Sequence, residues 1–229
     1  MIVADRKPLD EILEMVGDAS RILVSACNTC VTVCLAGGRR EAAILASQIR
    51  IHAQEAGRTV EVRENCLERH CDPEFLAELA GELEWADVMV STACGVGVNL
   101  ASEVYPSARI IPGLNTSFFG ATDAPGRWLE MCGGCGDCVL HRTGGICPIV
   151  RCAKSILNGP CGGSQDGKCE VDPDTPCAWQ EIIDRLALQG RSAELEAVEP
   201  VKDWGTSHSG GRRRRIVDEV FQAEGEGEA

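Results

Sequence analysis

Aromatic side chains are scarce in this chain: four Phe, four Trp and one Tyr among 229 residues. So few rings exclude a base-stacking platform for single-stranded nucleic acid. Positive charge is short as well. Twenty-two Lys and Arg stand against 35 Asp and Glu, a net −13, the wrong sign for a protein that must neutralise phosphates. No stretch approaches 18 apolar residues, and the opening MIVADRKPLDEILEMV lacks the basic-then-apolar pattern of a signal peptide. No membrane insertion and a cytoplasmic location are therefore expected. Catalytic constellations are missing too: no Ser/His/Asp set and no paired carboxylates stand out. Of the four histidines, His52 and His208 read as solvated, while His70 beside Cys71 and His141 among cysteines are the two conceivable ligands.

What is abundant is cysteine. Fourteen thiols in a cytosolic chain argue against a disulfide framework, because that compartment keeps thiols reduced. Eight of them lie between Cys132 and Cys177, a density that reads as metal ligation. The remaining composition, 44% hydrophobic over 229 residues, suffices for one α/β domain with a smaller appendage.

Helix-like and strand-like segments alternate in the N-terminal half. Leu9, Ile12, Leu13 and Val16 share one helical face, and a second helix is expected over residues 40–56, after Gly37-Gly38. Phe75, Leu76, Leu79 and Leu83 line another, and residues 99–104 form a short one. Strands are expected at Arg21–Cys27 (RILVSAC) and at residues 59–63, 87–91 and 109–112. This order predicts an α/β, Rossmann-like parallel sheet with right-handed crossovers over residues 1–125. Residues 126–190 change character: Gly, Cys, Pro and Asp dominate, as in a small module stapled by metal. A helix closes it, with Thr175 as N-cap, Pro176 at N1, Trp179, Ile182, Ile183 and Leu186 on one face, and Gly190 at its end. Residues 191–229, with Arg212–Arg215 and a GEGEGEA ending, read as a charged tail without chemistry.

The first cysteine group is Cys27-x2-Cys30-x3-Cys34, joined by Cys66, Cys71 and Cys94. Cys27 is expected to end the first strand and Cys94 the third. The carboxyl ends of parallel strands share one edge, where ligands sit. Four thiolates satisfy a 4Fe–4S cluster, so this group holds candidates to spare. The bland reading makes Cys66 and Cys94 buried small apolar residues. Gly95-Val96-Gly97 resembles a phosphate turn only weakly, and gives the chain room beside Cys94.

The second group is Cys132-x2-Cys135-x2-Cys138, then Cys147 before Pro148, then Cys152, Cys161, Cys169 and Cys177. C-x2-C-x2-C is the spacing by which one loop wraps three corners of a cubane cluster, and eight cysteines divide into two four-ligand sites. Zinc is the rival metal, but its paired C-x2-4-C knuckles match these later gaps poorly.

Several segments together resemble a known family: ACNTCVTVCLAGG (26–38), STACGVGVN (91–99), PGLNTSFFG (112–120) and CGGCGDCVLHRTGGICPIVRCAKSILNGPCGGSQDGKCEV (132–171). The likeness, over roughly residues 20–190, is to the methylenetetrahydrofolate reductase C-terminal domain family, found as a cysteine-rich, so-called zinc-containing small subunit. The resemblance implies a flavin-containing TIM-barrel partner that holds FMN and reduces methylenetetrahydrofolate, and further redox subunits. This chain would then be an iron–sulfur electron-transfer subunit with two or three 4Fe–4S clusters. The alternative is a zinc-binding structural subunit. The fourth ligand of the first site stays open between Cys71 and Cys94.

Overall fold

The structure, a computed structural model, describes residues 1–207 and 211–217. His208 and the GEGEGEA ending lie outside the described residues. The chain divides into two compact units, Met1–Met131 and Cys132–Ala229.

In the first unit the elements follow as β1 (Ile2–Arg6), α1 (Leu9–Val16), β2 (Arg21–Cys27), α2 (Cys30–Val33), α3 (Arg39–Glu55) and β3 (Glu61–Leu67). Then come α4 (Pro73–Leu76), a 3-10 turn (Ala77–Leu79), α5 (Ala80–Trp85), β4 (Val88–Ser91), α6 (Gly95–Val104), β5 (Ile110–Pro112), β6 (Leu114–Ala124) and β7 (Arg127–Cys132). Four strands form a parallel sheet in the order β3-β2-β4-β5. Strand β2 is buried from Ile22 to Cys27, because helices cover both faces, and its side chains alternate between two cores. Ile22, Val24 and Ala26 meet Ile12 and Val16 of α1 and Leu45, Ala46 and Ile49 of α3. Leu23 faces the other way, onto Leu76, Leu79, Met89 and Ala101. The α/β expectation is met.

A second sheet, in the order β1-β6-β7 with β1 and β6 antiparallel, was not legible in the sequence. Its strands are partly exposed and carry few apolar residues in alternation, so period-2 patterning is faint. The chain changes sheets at Gly113, whose N–H donates to Ser91 O at 2.8 Å and whose carbonyl accepts from Lys7 N at 3.0 Å. This sheet matters because β1 lays Val3 and Ala4 over the cysteine loop, in a core with Cys27, Val31, Cys34, Ala93, Cys94 and Leu114.

Three boundaries differ from expectation. Strand β3 runs on to Leu67, pairing with β2 up to Cys27; it is an edge strand, where outward polar residues are tolerated. The expected helix over residues 75–83 is broken by the 3-10 turn, although Leu76 and Leu79 are buried as foreseen. Helix α6 starts at Gly95 instead of residue 99, so Cys94 is its N-cap residue and does not end a strand.

In the second unit the helices are α7 (Pro148–Arg151) and α8 (Ala178–Leu188). Helix α8 begins later than its sequence signals suggest. Cys177 is its N-cap residue, and the Thr175 hydroxyl instead donates to the Asp172 carboxylate. The unit's apolar core is small: Ile146, Cys177, Trp179, Ile182 and Leu186, with Cys152 against it. The Trp179 ring packs on Gly159, where a Cβ would fall 2.4 Å from ring atoms, and its Nε1 donates to Ile156 O at 2.9 Å. Among the described residues no helix is long and apolar enough to cross a membrane.

Candidate metal centres

The carboxyl ends of β2 and β4 build the first site. Past Cys27 the chain turns into α2, and the turn is held by backbone bonds from Asn28 N to Leu67 O (3.0 Å) and Glu68 O (3.1 Å). The Thr32 hydroxyl donates back to Cys27 O at 2.9 Å. The loop then returns against β4, where the Thr92 hydroxyl donates to Gly37 O at 2.7 Å. Only glycine fits at position 37: a Cβ there would lie 1.9 Å from Thr92 O. Cys30 and Cys94 are thereby drawn to the same edge as Cys27.

His70 sets the remaining wall. It is fully buried, with Nε2 at 3.1 Å from both Ser25 Oγ and Ala26 O, and Nδ1 at 3.1 Å from Ser91 Oγ. Burial lowers its pKa to about 4, so the ring is neutral near pH 7. Both nitrogens are engaged by the ends of β2 and β4, so His70 braces the site and does not serve as a ligand. Its Cβ packs against Gly97, where an added Cβ would come within 2.6 Å. The next residue, Cys71, is thus held beside α6.

Cys27, Cys30, Cys71 and Cys94 line one hollow of about 110 Å³ whose other walls include Ile2, Val31, Ala93 and Val96. The Cys71 thiol is pushed up by burial first, and then by negative charge at Cys27 and Cys94. Thiolates gathered this way repel one another unless a cation sits among them. Cys94, at the N-terminus of the ten-residue α6, has the helix's positive end as an added anion stabiliser. Both Cys71 and Cys94 stand at this hollow, and neither is displaced by the other.

Cys34 and Cys66 stand apart. The Cys34 sulfur is buried against Ala4 O (3.7 Å) and Val31 O (3.6 Å), and burial pushes its thiol up. Cys66 sits on β3 opposite Ala26 and packs on the α1–α3 core; burial raises it likewise.

In the second unit, Cys132, Cys135 and Cys138 follow one another on a loop with Gly134 and Gly136 at positive φ. Gly134 N–H donates to the Cys132 sulfur at 3.4 Å, the kind of amide–sulfur bond that tunes metal–thiolate centres. Cys147 is the N-cap residue of α7, and Cys138 and Pro148 share the wall of one cleft. Cys152, Cys161, Cys169 and Cys177 line a different, narrow pocket of about 20 Å³ beside Trp179. Short backbone bonds tie that pocket together: Cys169 N to Thr175 O at 2.9 Å and Cys177 N to Gly167 O at 2.8 Å.

Among the described residues, no three Cys, His, Asp or Glu side chains converge as a ready-made metal group. The donor chemistry nevertheless fits thiophilic metal. Four thiols around a largely apolar hollow several times the room one water needs suit a cluster. The 20 Å³ pocket has room for a single ion. His141 is exposed and takes a bond from its neighbour Arg142.

The supposedly inert segment past residue 190 contributes more than its sequence suggested. Residues 192–207 run as a strap with two 3-10 turns, and Lys202 and Thr206 bond the backbone of the Cys135–Cys138 loop. Sequence reasoning missed these residues because a lone lysine in a charged stretch carries no signal. His70 carried one, its place beside Cys71.

Residues 111–205 match the family model described as Methylene-tetrahydrofolate reductase C terminal. The match covers less than half of the chain. It extends past residue 190, beyond the segments that carry the resemblance, and includes most of the strap. No curated protein and no solved structure matches the chain.

Proposed function

We propose that this chain, whose residues 111–205 carry the methylene-tetrahydrofolate reductase C-terminal signature, is the iron–sulfur electron-transfer subunit of a methylenetetrahydrofolate reductase complex. The observation that carries the reading is the hollow shared by Cys27, Cys30, Cys71 and Cys94. Four cysteines from three stretches of the sequence, Cys27-x2-Cys30, Cys71 and Cys94, line one hollow at the strand-end edge where α/β sheets hold their ligands. Clusters bound by these thiols would supply one-electron transfer.

The chain's own residues provide the frame. Cys27, Cys30, Cys71 and Cys94 would hold one cluster, and Cys132, Cys135, Cys138 and Cys147 a second. Cys34 and Cys66 serve as packing residues. Hydride chemistry on the folate belongs to a flavin-bearing TIM-barrel partner, for such a barrel needs eight strands and the parallel sheet here has four. The partner's FMN would couple one-electron delivery to the two-electron step.

A second reading is favoured at one place. The narrow pocket of Cys152, Cys161, Cys169 and Cys177 has room for one small ion among four thiols, and a structural zinc there would staple a unit whose apolar core is small. Metal and acid-labile sulfide analysis of anaerobically purified protein tests both statements. Roughly eight irons with matching sulfide, plus one zinc lost in Cys169→Ser, is the expected result. Zinc without iron or sulfide would make the chain a structural subunit, and roughly twelve irons would place a third cluster in the narrow pocket.

A further inference from the structure

The end of the strap, residues 197–207, lies along the C-x2-C-x2-C loop. The Thr206 hydroxyl donates to Cys135 O at 3.0 Å, and Lys202 Nζ donates to Asp137 O at 3.2 Å. Gly136 is pressed so closely that an added Cβ would lie 2.2 Å from Thr206 O. The strap's start is pinned as well. Asn158 and Glu199 exchange two bonds, Glu199 N to Asn158 Oδ1 at 2.7 Å and Asn158 Nδ2 to Glu199 O at 3.0 Å, and Arg142 pairs with the Glu199 carboxylate.

Lys202 is the anomaly in this arrangement. Its side chain is 2% exposed, yet the carboxylate facing it, Asp137 at 3.5 Å, is 59% exposed. Water screens a carboxylate so placed, and it only partly offsets the cost of burying an ammonium. The Trp204 ring, 5.6 Å away, adds a weak cation–π contact. The carbonyl that Lys202 grips belongs to the residue before Cys138 and two after Cys135. Negative charge on those sulfurs is what would complete the balance.

We propose that Lys202 is the buried counter-cation of the metal–thiolate centre on the Cys132–Cys138 loop, delivered there by the strap. The inference rests on the iron–sulfur reading of that loop. A fixed positive charge beside a cluster favours its reduced, more negative form, so Lys202 acts as a positioning and potential-tuning residue, making no bond to iron.

The experiment is a spectroscopically monitored redox titration of the full chain, with iron and sulfide counted on each sample. Wild type is compared with Lys202→Met, which keeps the stem, and Lys202→Arg, which keeps the charge. The Met variant should keep its iron while the reduced-to-oxidised ratio of one cluster falls about tenfold at fixed ambient potential, about 59 mV for a one-electron couple. Arg should restore the wild-type ratio. Should Met shed the cluster and Arg retain it, the charge requirement stands. An unchanged midpoint in a fully loaded Met variant overturns the proposal, as does equal loss of iron in Met and Arg, which would mark a packing role. Absence of iron and sulfide from wild type is the separate outcome that removes the cluster reading and this inference with it.

Discussion

His70 shows how one side chain can brace a site it does not ligate. Its neutral ring joins Ser25, Ala26 and Ser91, so deletion removes a buried partner from two hydroxyls and a carbonyl inside the sheet edge. His70→Ala should cost about 3 kcal/mol in denaturant unfolding of the first unit, with iron content falling alongside. Gly37→Ala attacks the same edge from the backbone. Its Cβ would collide with Thr92 O, so the loop bearing Cys30 must move, and the protein should lose about four irons, one cubane. Full retention of iron in that variant would detach the loop from any cluster. At the far end of the strands, Asp87 accepts from the Arg21 guanidinium (Nη2 at 2.6 Å) and from the backbone of Arg21 and Ser20, and these bonds hold its carboxyl down at about 2. A carboxyl lower in the folded state stabilises above its ordinary value near 3.8 and loses that contribution as pH falls toward 2. The melting-temperature gap between wild type and Asp87→Asn should therefore be widest at pH 5 and shrink by pH 2.5.

At the scale of elements, the parallel strands and the helices α1 and α3 were legible because burial on both faces writes near-continuous apolar runs such as RILVSAC, and burial on one writes the Leu45, Ala46, Ile49 spacing. The sheet of β1, β6 and β7 was not, since LNTSFFGATDA has neither pattern. The candidate site divides likewise. Convergence of Cys27 and Cys94 on one edge follows from topology, whereas Cys71 joins them through the tertiary fit of His70 against Gly97, which no local spacing encodes. Lys202 and Thr206 were invisible for the same reason: their partners lie 65 and 71 residues away. Helix α8 supplies most of the second unit's apolar core. Leu186→Ala should destabilise that unit by about 2–5 kcal/mol, read as faster proteolysis beyond residue 132. Metal loading should slow that cleavage, because binding free energy adds to folding free energy in a metal-stapled unit.

For the molecule as a whole, the two units have unequal means of support. Residues 1–131 bury two helix-covered cores around the parallel sheet; among its described residues the second unit has a core cluster of five buried side chains, and it carries eight cysteines. Stripping metal with a chelator should leave the helical circular dichroism of the first unit largely intact while the second opens to protease. Simultaneous loss of both would mean that the sheet itself depends on metal.

The hollow of Cys27, Cys30, Cys71 and Cys94 does not exist until β2, β3 and β4 are in register, whereas Cys152 to Cys177 is one unbroken stretch. Metal destined for the hollow must enter a finished host; metal destined for the stretch can meet a nascent peptide and fold around itself. With both sites filled as proposed, maturation of this chain would take two deliveries at different moments, the later one to a folded protein whose receiving thiols are already partly enclosed.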